Sequence, residues 1–128
     1  MKNLKIPLLI VLMLAFMLQV KDAGSSHTIL QGNASWYSES DPGILRTTAN
    51  MEVFDHEMLT CAMWDMPFNT LLKVTNVYNG RCVYVRVNDR GPAKRLVNRG
   101  RIIDLTKEAF SKLADLKEGL IQIRVEVI

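Results

Sequence analysis

The segment Arg86-Val87-Asn88-Asp89-Arg90-Gly91-Pro92 sets one carboxyl group between two guanidinium groups at the point where a β-rich run meets a Gly-Pro turn. A carboxyl held there can give a proton to a departing oxygen and take one back. In the preceding run Val83, Val85 and Val87 share one face, and extending that alternation puts Asp89 on the valine side, aimed inward at a barrel rim. The same side chain could instead cap the Arg90-Gly91-Pro92 turn through backbone amides. Other chemistries have less to build on. Two histidines far apart and two cysteines without C-x-x-C spacing make no metal site, so neither metal nor cofactor is expected. There is no Gly-rich phosphate loop and no nucleophile elbow.

The elements that must position Asp89 are short and mostly extended. Residues 31–37 read as a first strand, followed by a turn at Asp41-Pro42-Gly43. Residues 58–64 form an apolar run taken as a strand. Residues 71–77 and 82–88 read as a hairpin, because Asn79-Gly80 between β-rich runs tolerates positive φ at both positions. A polar loop over 94–100 leads to a strand over 101–105, and Thr106 caps a helix of two to three turns whose Leu105, Ala109, Phe110 and Leu113 share one face. Residues 119–128 alternate, with Ile121, Ile123, Val125 and Val127 on one side. The expected fold is mainly β, a small six-stranded closed barrel with one or two short helices, because closure removes exposed strand edges.

The chain has 128 residues, enough for one domain. Lys2 and Lys5, an apolar run over 6–18 and small or polar residues over 19–26 have the order of a secretory signal, so residues 1–26 read as a signal peptide and 27–128 as the domain. No cysteine within or just after the apolar run could take a lipoprotein anchor, and a soluble periplasmic or secreted product is expected. Cys61 sits among apolar residues, which favours free thiols over a Cys61–Cys82 bridge. Arg86, Arg90, Lys94, Arg95, Arg99 and Arg101 surround one acid, Asp89, and read either as a solvated loop or as a groove for an anionic polymer. No aromatic residue interleaves with them, which argues against a nucleic-acid partner.

Five segments occur in an order that resembles the rare-lipoprotein-A (RlpA) family. Gly32-Asn33-Ala34-Ser35-Trp36-Tyr37 resembles G-x-A-S-W-Y-G, and Thr48-Ala49-Asn50-Met51-Glu52-Val53-Phe54-Asp55 resembles T-A-N-G-E-x-F-D. Pro67-Phe68-Asn69-Thr70 resembles P-F-G-T, residues 86–92 match R-V-N-D-R-G-P, and residues 100–105 resemble G-R-I-I-D-L. The resemblance implies a double-psi β-barrel acting as a monomer on peptidoglycan glycan strands. Lytic transglycosylases of the family cut between N-acetylmuramic acid and N-acetylglucosamine without water, leaving a 1,6-anhydro end. It implies Asp89 as the catalytic acid and base and Glu52 as a second catalytic candidate. Trp36 and Tyr37 are candidate sugar platforms, with core packing as their alternative, and Arg86 and Arg90 candidate substrate contacts. Asp104 is expected to be a structural acceptor near the helix start. Met63 stands where active relatives have a histidine, and Met51 where they have a glycine, so a non-catalytic, expansin-like wall-binding module is the alternative.

Overall fold

Strand alternation decides which side chains fill the interior. Leu72 and Val74, then Val83, Val85 and Val87, then Ile121, Ile123 and Val125 are all buried, while their neighbours point outward. The computed structural model describes residues 27–128, and the expected signal peptide lies outside the described residues. Its strands are β1 (Ile29–Tyr37), β2 (Thr60–Ala62), β3 (Leu71–Asn76), β4 (Cys82–Asp89), β5 (Arg101–Thr106) and β6 (Ile121–Val127). They close in the order β1-β5-β2-β4-β3-β6, with β1/β5 and β2/β4 parallel and the other pairs antiparallel. This is the expected six-stranded double-psi β-barrel. Among the described residues no helix is long and apolar enough to cross a membrane.

Several elements differ from expectation. The run over 58–64 forms a strand only at Thr60–Ala62, because Met58 and Leu59 stay exposed and Asp65 takes a positive φ of 61°. The hairpin closes through four loop residues, 77–80, in which Gly80 alone has positive φ (74°). The loop over 94–100 contains one helical turn, α1 (Lys94–Val97), whose Leu96 and Val97 are half-buried. Thr106 caps α2 (Lys107–Ser111) by accepting from the Ala109 amide, but this helix is shorter than expected. Its continuation ends where the Leu113 carbonyl accepts from the side-chain amides of Asn76 and Asn79, and a 3₁₀ turn at Leu116–Glu118 follows.

Cys61 is buried on β2 and Cys82 is exposed at the start of β4. Cys61 pairs with Val87, five residues along β4 from Cys82. At about 3.3 Å per residue that is roughly 16 Å, far beyond bridging distance. Burial pushes the Cys61 thiol up, so it is a neutral core group.

Candidate active site

Asp89 ends β4 where the strand breaks its alternation. β2 pairs Cys61 with Val87 but Ala62 with Asp89, a register shift that puts Asp89 on the side of Ala62 instead of that of Val87 and leaves it half-buried at the rim. The expected parity therefore fails by one residue, and this irregularity re-aims the carboxylate. Its Oδ1 accepts from the Ala49 and Arg90 amides, each at 2.9 Å. Its Oδ2 receives the Tyr37 hydroxyl over a longer 3.4 Å. Oδ1 thus caps the turn through the Arg90 amide, as the second alternative for Asp89 has it, while Oδ2 meets only the Tyr37 hydroxyl among the described residues.

The Ala49 amide is delivered by a tight turn. Thr48 donates its amide to the Glu52 carbonyl and Met51 to that of Thr48, while Thr47 bridges to Val53. Below the turn, Glu52 takes a two-pronged contact from Arg86 (2.5 and 2.9 Å) and single bonds from Asn88 and Asn50. Those donors, Arg86 first, lower the Glu52 carboxyl from 4.5 to about 2. A carboxyl lowered on folding contributes stability above its unfolded value and loses it as pH falls through the folded one. Glu52 is 37% exposed, so solvent screening limits the effect to about 1 kcal/mol. Glu52→Gln is expected to flatten urea-unfolding stability between pH 4.5 and 2 by that amount; an acid limb identical to that of the parent would refute it.

Met51 supplies the left-handed residue of the turn, with φ of 71°, and its side chain is 80% exposed. An L-residue there costs about 1–2 kcal/mol, partly offset because glycine loses more freedom on folding. Met51→Gly should stabilise the protein by about 0.5–1 kcal/mol in denaturant melts, and any destabilisation would contradict that balance.

Tyr37 does not present its ring to solvent. It is buried and stacked on Phe54, centroids 4.6 Å apart, so the ring belongs to the core and its hydroxyl is the part that reaches the site. Burial, then the nearby Asp89 and Asp104 charges, pushes this hydroxyl well above its ordinary range, keeping it a neutral donor. Trp36 is half-buried against the core and donates its indole N–H to the Leu116 carbonyl. Arg86 is engaged by Glu52 and Asn69, and Arg90 lies 3.9 Å over the Phe68 ring while donating to the Met63 carbonyl. Trp36, Tyr37, Arg86 and Arg90 thus all make protein contacts, and for the Tyr37 ring this is the core-packing alternative. The exposed cations nearby are Lys94, Arg95 and Arg99, with Lys94 4.9 Å over the Trp64 ring.

Asp104 stands close to the same rim. It is the expected acceptor, taking the Ser35 hydroxyl and Arg101 on Oδ1. Yet Ala62 pairs with Asp89 on one side and Asp104 on the other, so the two carboxylate-bearing strands flank one residue about 10 Å apart. A Cβ added at Gly91 would come within 3.4 Å of Asp104 Oδ2, so the Gly-Pro turn lies directly over this second carboxylate. Alternation in Ile102-Ile103-Asp104-Leu105 signals a strand, but nothing local tells that its neighbour β2 has Asp89 on the far side.

The sequence profile of the lytic transglycolase family matches residues 29–125, all of the barrel but the last two residues of β6, with Asp89, Glu52 and Asp104 inside it. The chain belongs to the lytic transglycolase family. Among members of similar sequence, it is 42% identical over 106 residues to a probable endolytic peptidoglycan transglycosylase RlpA of Nostoc sp., covering 83% of this chain and 28% of that one. It is 47% identical over 97 residues to the endolytic peptidoglycan transglycosylase RlpA of Campylobacter jejuni, covering 76% and 33%. The chain thus spans about a third of the length of these relatives. In fold, this lytic transglycolase domain is similar to the Streptomyces papain inhibitor (TM-score 0.62, 24% identity, 79% of this chain and 94% of that). It is also similar to a Clavibacter michiganensis expansin (TM-score 0.60, 22% identity, 79% and 50%).

Proposed function

We propose that this domain is an endolytic peptidoglycan transglycosylase, cleaving glycan strands between N-acetylmuramic acid and N-acetylglucosamine to leave 1,6-anhydro ends during cell wall organisation. The observation that carries it is the unequal bonding of Asp89, with Oδ1 tied by two amides and Oδ2 facing the rim beside a neutral hydroxyl. Protonated on Oδ2, Asp89 gives that proton to the glycosidic oxygen as the C1–O bond breaks. The muramic C6 hydroxyl then closes on C1 and returns its proton to Oδ2, so no water is consumed and the acid is regenerated. Two amide bonds that fix Oδ1 hold the reacting oxygen in one orientation through both transfers. Asp104 places a negative charge near the positive charge that develops at C1. Glu52 serves as a positioning residue, holding Arg86 and Asn88 under the turn that carries the Ala49 amide.

The names of the relatives support the substrate and the class of reaction. The setting is the periplasm or beyond, reached through residues 1–26, with the domain acting as a monomer, without a retained membrane segment or a nucleic-acid partner. One observation favours a second reading, a glycan-binding module without turnover. Met63 is buried where the family motif has histidine, and a thioether carries no proton. Incubating the mature protein with peptidoglycan, intact and stripped of peptides, separates the two by mass spectrometry. Anhydro-ended products establish cleavage; pelleting with the glycan in their absence establishes binding alone.

A further inference from the structure

The outer side of β1 and β6 carries three side-chain amides, Gln31, Asn33 and Gln122, that have no hydrogen-bond partner among the described residues. Register sets Asn33 opposite Gln122, and Gln31 stands two residues back on the face of Asn33. Two adjoining depressions of about 310 and 390 Å³ share Asn33 and Gln122 and run from Gln31 to Tyr78. Tyr78, at the far end, is 81% exposed. The wall beneath it is fixed, since Asn76 and Asn79 both donate to the Leu113 carbonyl and the Tyr78 amide donates to Asn76 at 3.0 Å.

These groups share a chemistry. Each amide offers donors and an acceptor without charge, which matches hydroxyl and N-acetyl groups, while Arg124 opposite Gln31 and Glu118 at the Tyr78 end bring one charge of each sign to the margins of the face. An exposed tyrosine adds a flat apolar face with a polar edge, suited to a pyranose. β4 spans roughly 23 Å between Cys82, at the hairpin end, and Asp89, at about 3.3 Å per residue, so the Tyr78 end of this face is remote from Asp89, while Asn33 lies two residues along β1 from Ser35, the partner of Asp104. On the strength of the peptidoglycan reading above, we propose that this face is a second glycan-binding site, taking a neutral run of N-acetylated amino sugars. A polymer held at two points dissociates more slowly with no change in the chemistry at either.

The test uses the tetrasaccharide of N-acetylglucosamine, titrated into ¹⁵N-labelled Asp89→Asn protein. The side-chain amide signals of Gln31, Asn33 and Gln122 should shift in a saturable way. The Gln31→Ala/Gln122→Ala variant, altered only at exposed positions, should lose at least fivefold in pelleting with insoluble peptidoglycan while cleaving short soluble strands at the parent rate. Shifts confined to the surroundings of residue 89, or unchanged pelleting by the double variant, would overturn the second site. Saturable amide shifts in a protein that shows no turnover would count against cleavage alone and leave this site standing.

Discussion

Asp89→Asn is expected to lower the rate of anhydro-end formation on purified peptidoglycan by about a thousandfold while leaving the barrel folded. The asparagine oxygen can still accept from the Ala49 and Arg90 amides, so the turns at 48–52 and 90–92 keep their anchor. Its amide nitrogen takes the place of Oδ2 and has no acidic proton to give, and removing a general acid costs roughly a hundred- to ten-thousandfold. The thermal midpoint should fall only slightly, because two charge-assisted bonds become neutral ones worth about 1 kcal/mol less in sum. Mass-spectrometric initial rates beside circular-dichroism melts separate the two effects. Activity retained within tenfold of the parent would reduce Asp89 to a turn cap and move the proton transfer elsewhere.

What was legible in the sequence is what depends on neighbours along the chain. Alternation in 82–88 and 121–127 put the valines and isoleucines inside, Thr106 marked a helix start through its own hydroxyl, and Asn79-Gly80 marked a hairpin. What stayed illegible depends on partners far away. The hairpin loop has four residues because the Asn76 amide bonds the Arg81 carbonyl across it, while the turn that continues α2 ends at Leu113, whose carbonyl takes the side-chain amides of two asparagines from that hairpin. The register shift at Cys61/Ala62 exists only between β2 and β4, so strand parity alone misplaces Asp89 by one residue.

The site shows the same division. The motif around Asp89 singled the residue out as a candidate, but did not reveal that Oδ1 and Oδ2 have different surroundings. Arg86 and Arg90 read as a cationic pair for substrate because charge along the chain is visible, while Glu52 and Phe68, which occupy them, lie 34 and 22 residues away in the chain. Residue type left Tyr37 between sugar platform and core packing; the Phe54 ring that stacks on it lies 17 residues away in the chain. Each of these contacts is tertiary, between residues far apart in the chain.

Asp104→Asn should lose in two separable ways. The folded protein should be less stable by about 2 kcal/mol, because Arg101, 31% exposed, keeps its charge while its partner, 15% exposed, loses its own. The buried Ser35 hydroxyl still finds an acceptor in the asparagine oxygen, which is why the cost stays below that of deleting the side chain. Turnover should fall as well, through a route that folding does not share. A unit charge about 10 Å from a developing cation contributes roughly 1.5 kcal/mol at an effective dielectric of about 20, or about tenfold in rate. Rates measured well below the melting midpoint distinguish these effects. A tenfold fall in kcat with KM unchanged fits a charge acting on the transition state. A variant that melts earlier but turns over at the parent rate would confine Asp104 to holding β5 against Ser35 and Arg101. The two substitutions also test one another: if both carboxylates act on the same transition state, the Asp104→Asn effect on rate should vanish in the Asp89→Asn background, while its effect on stability persists.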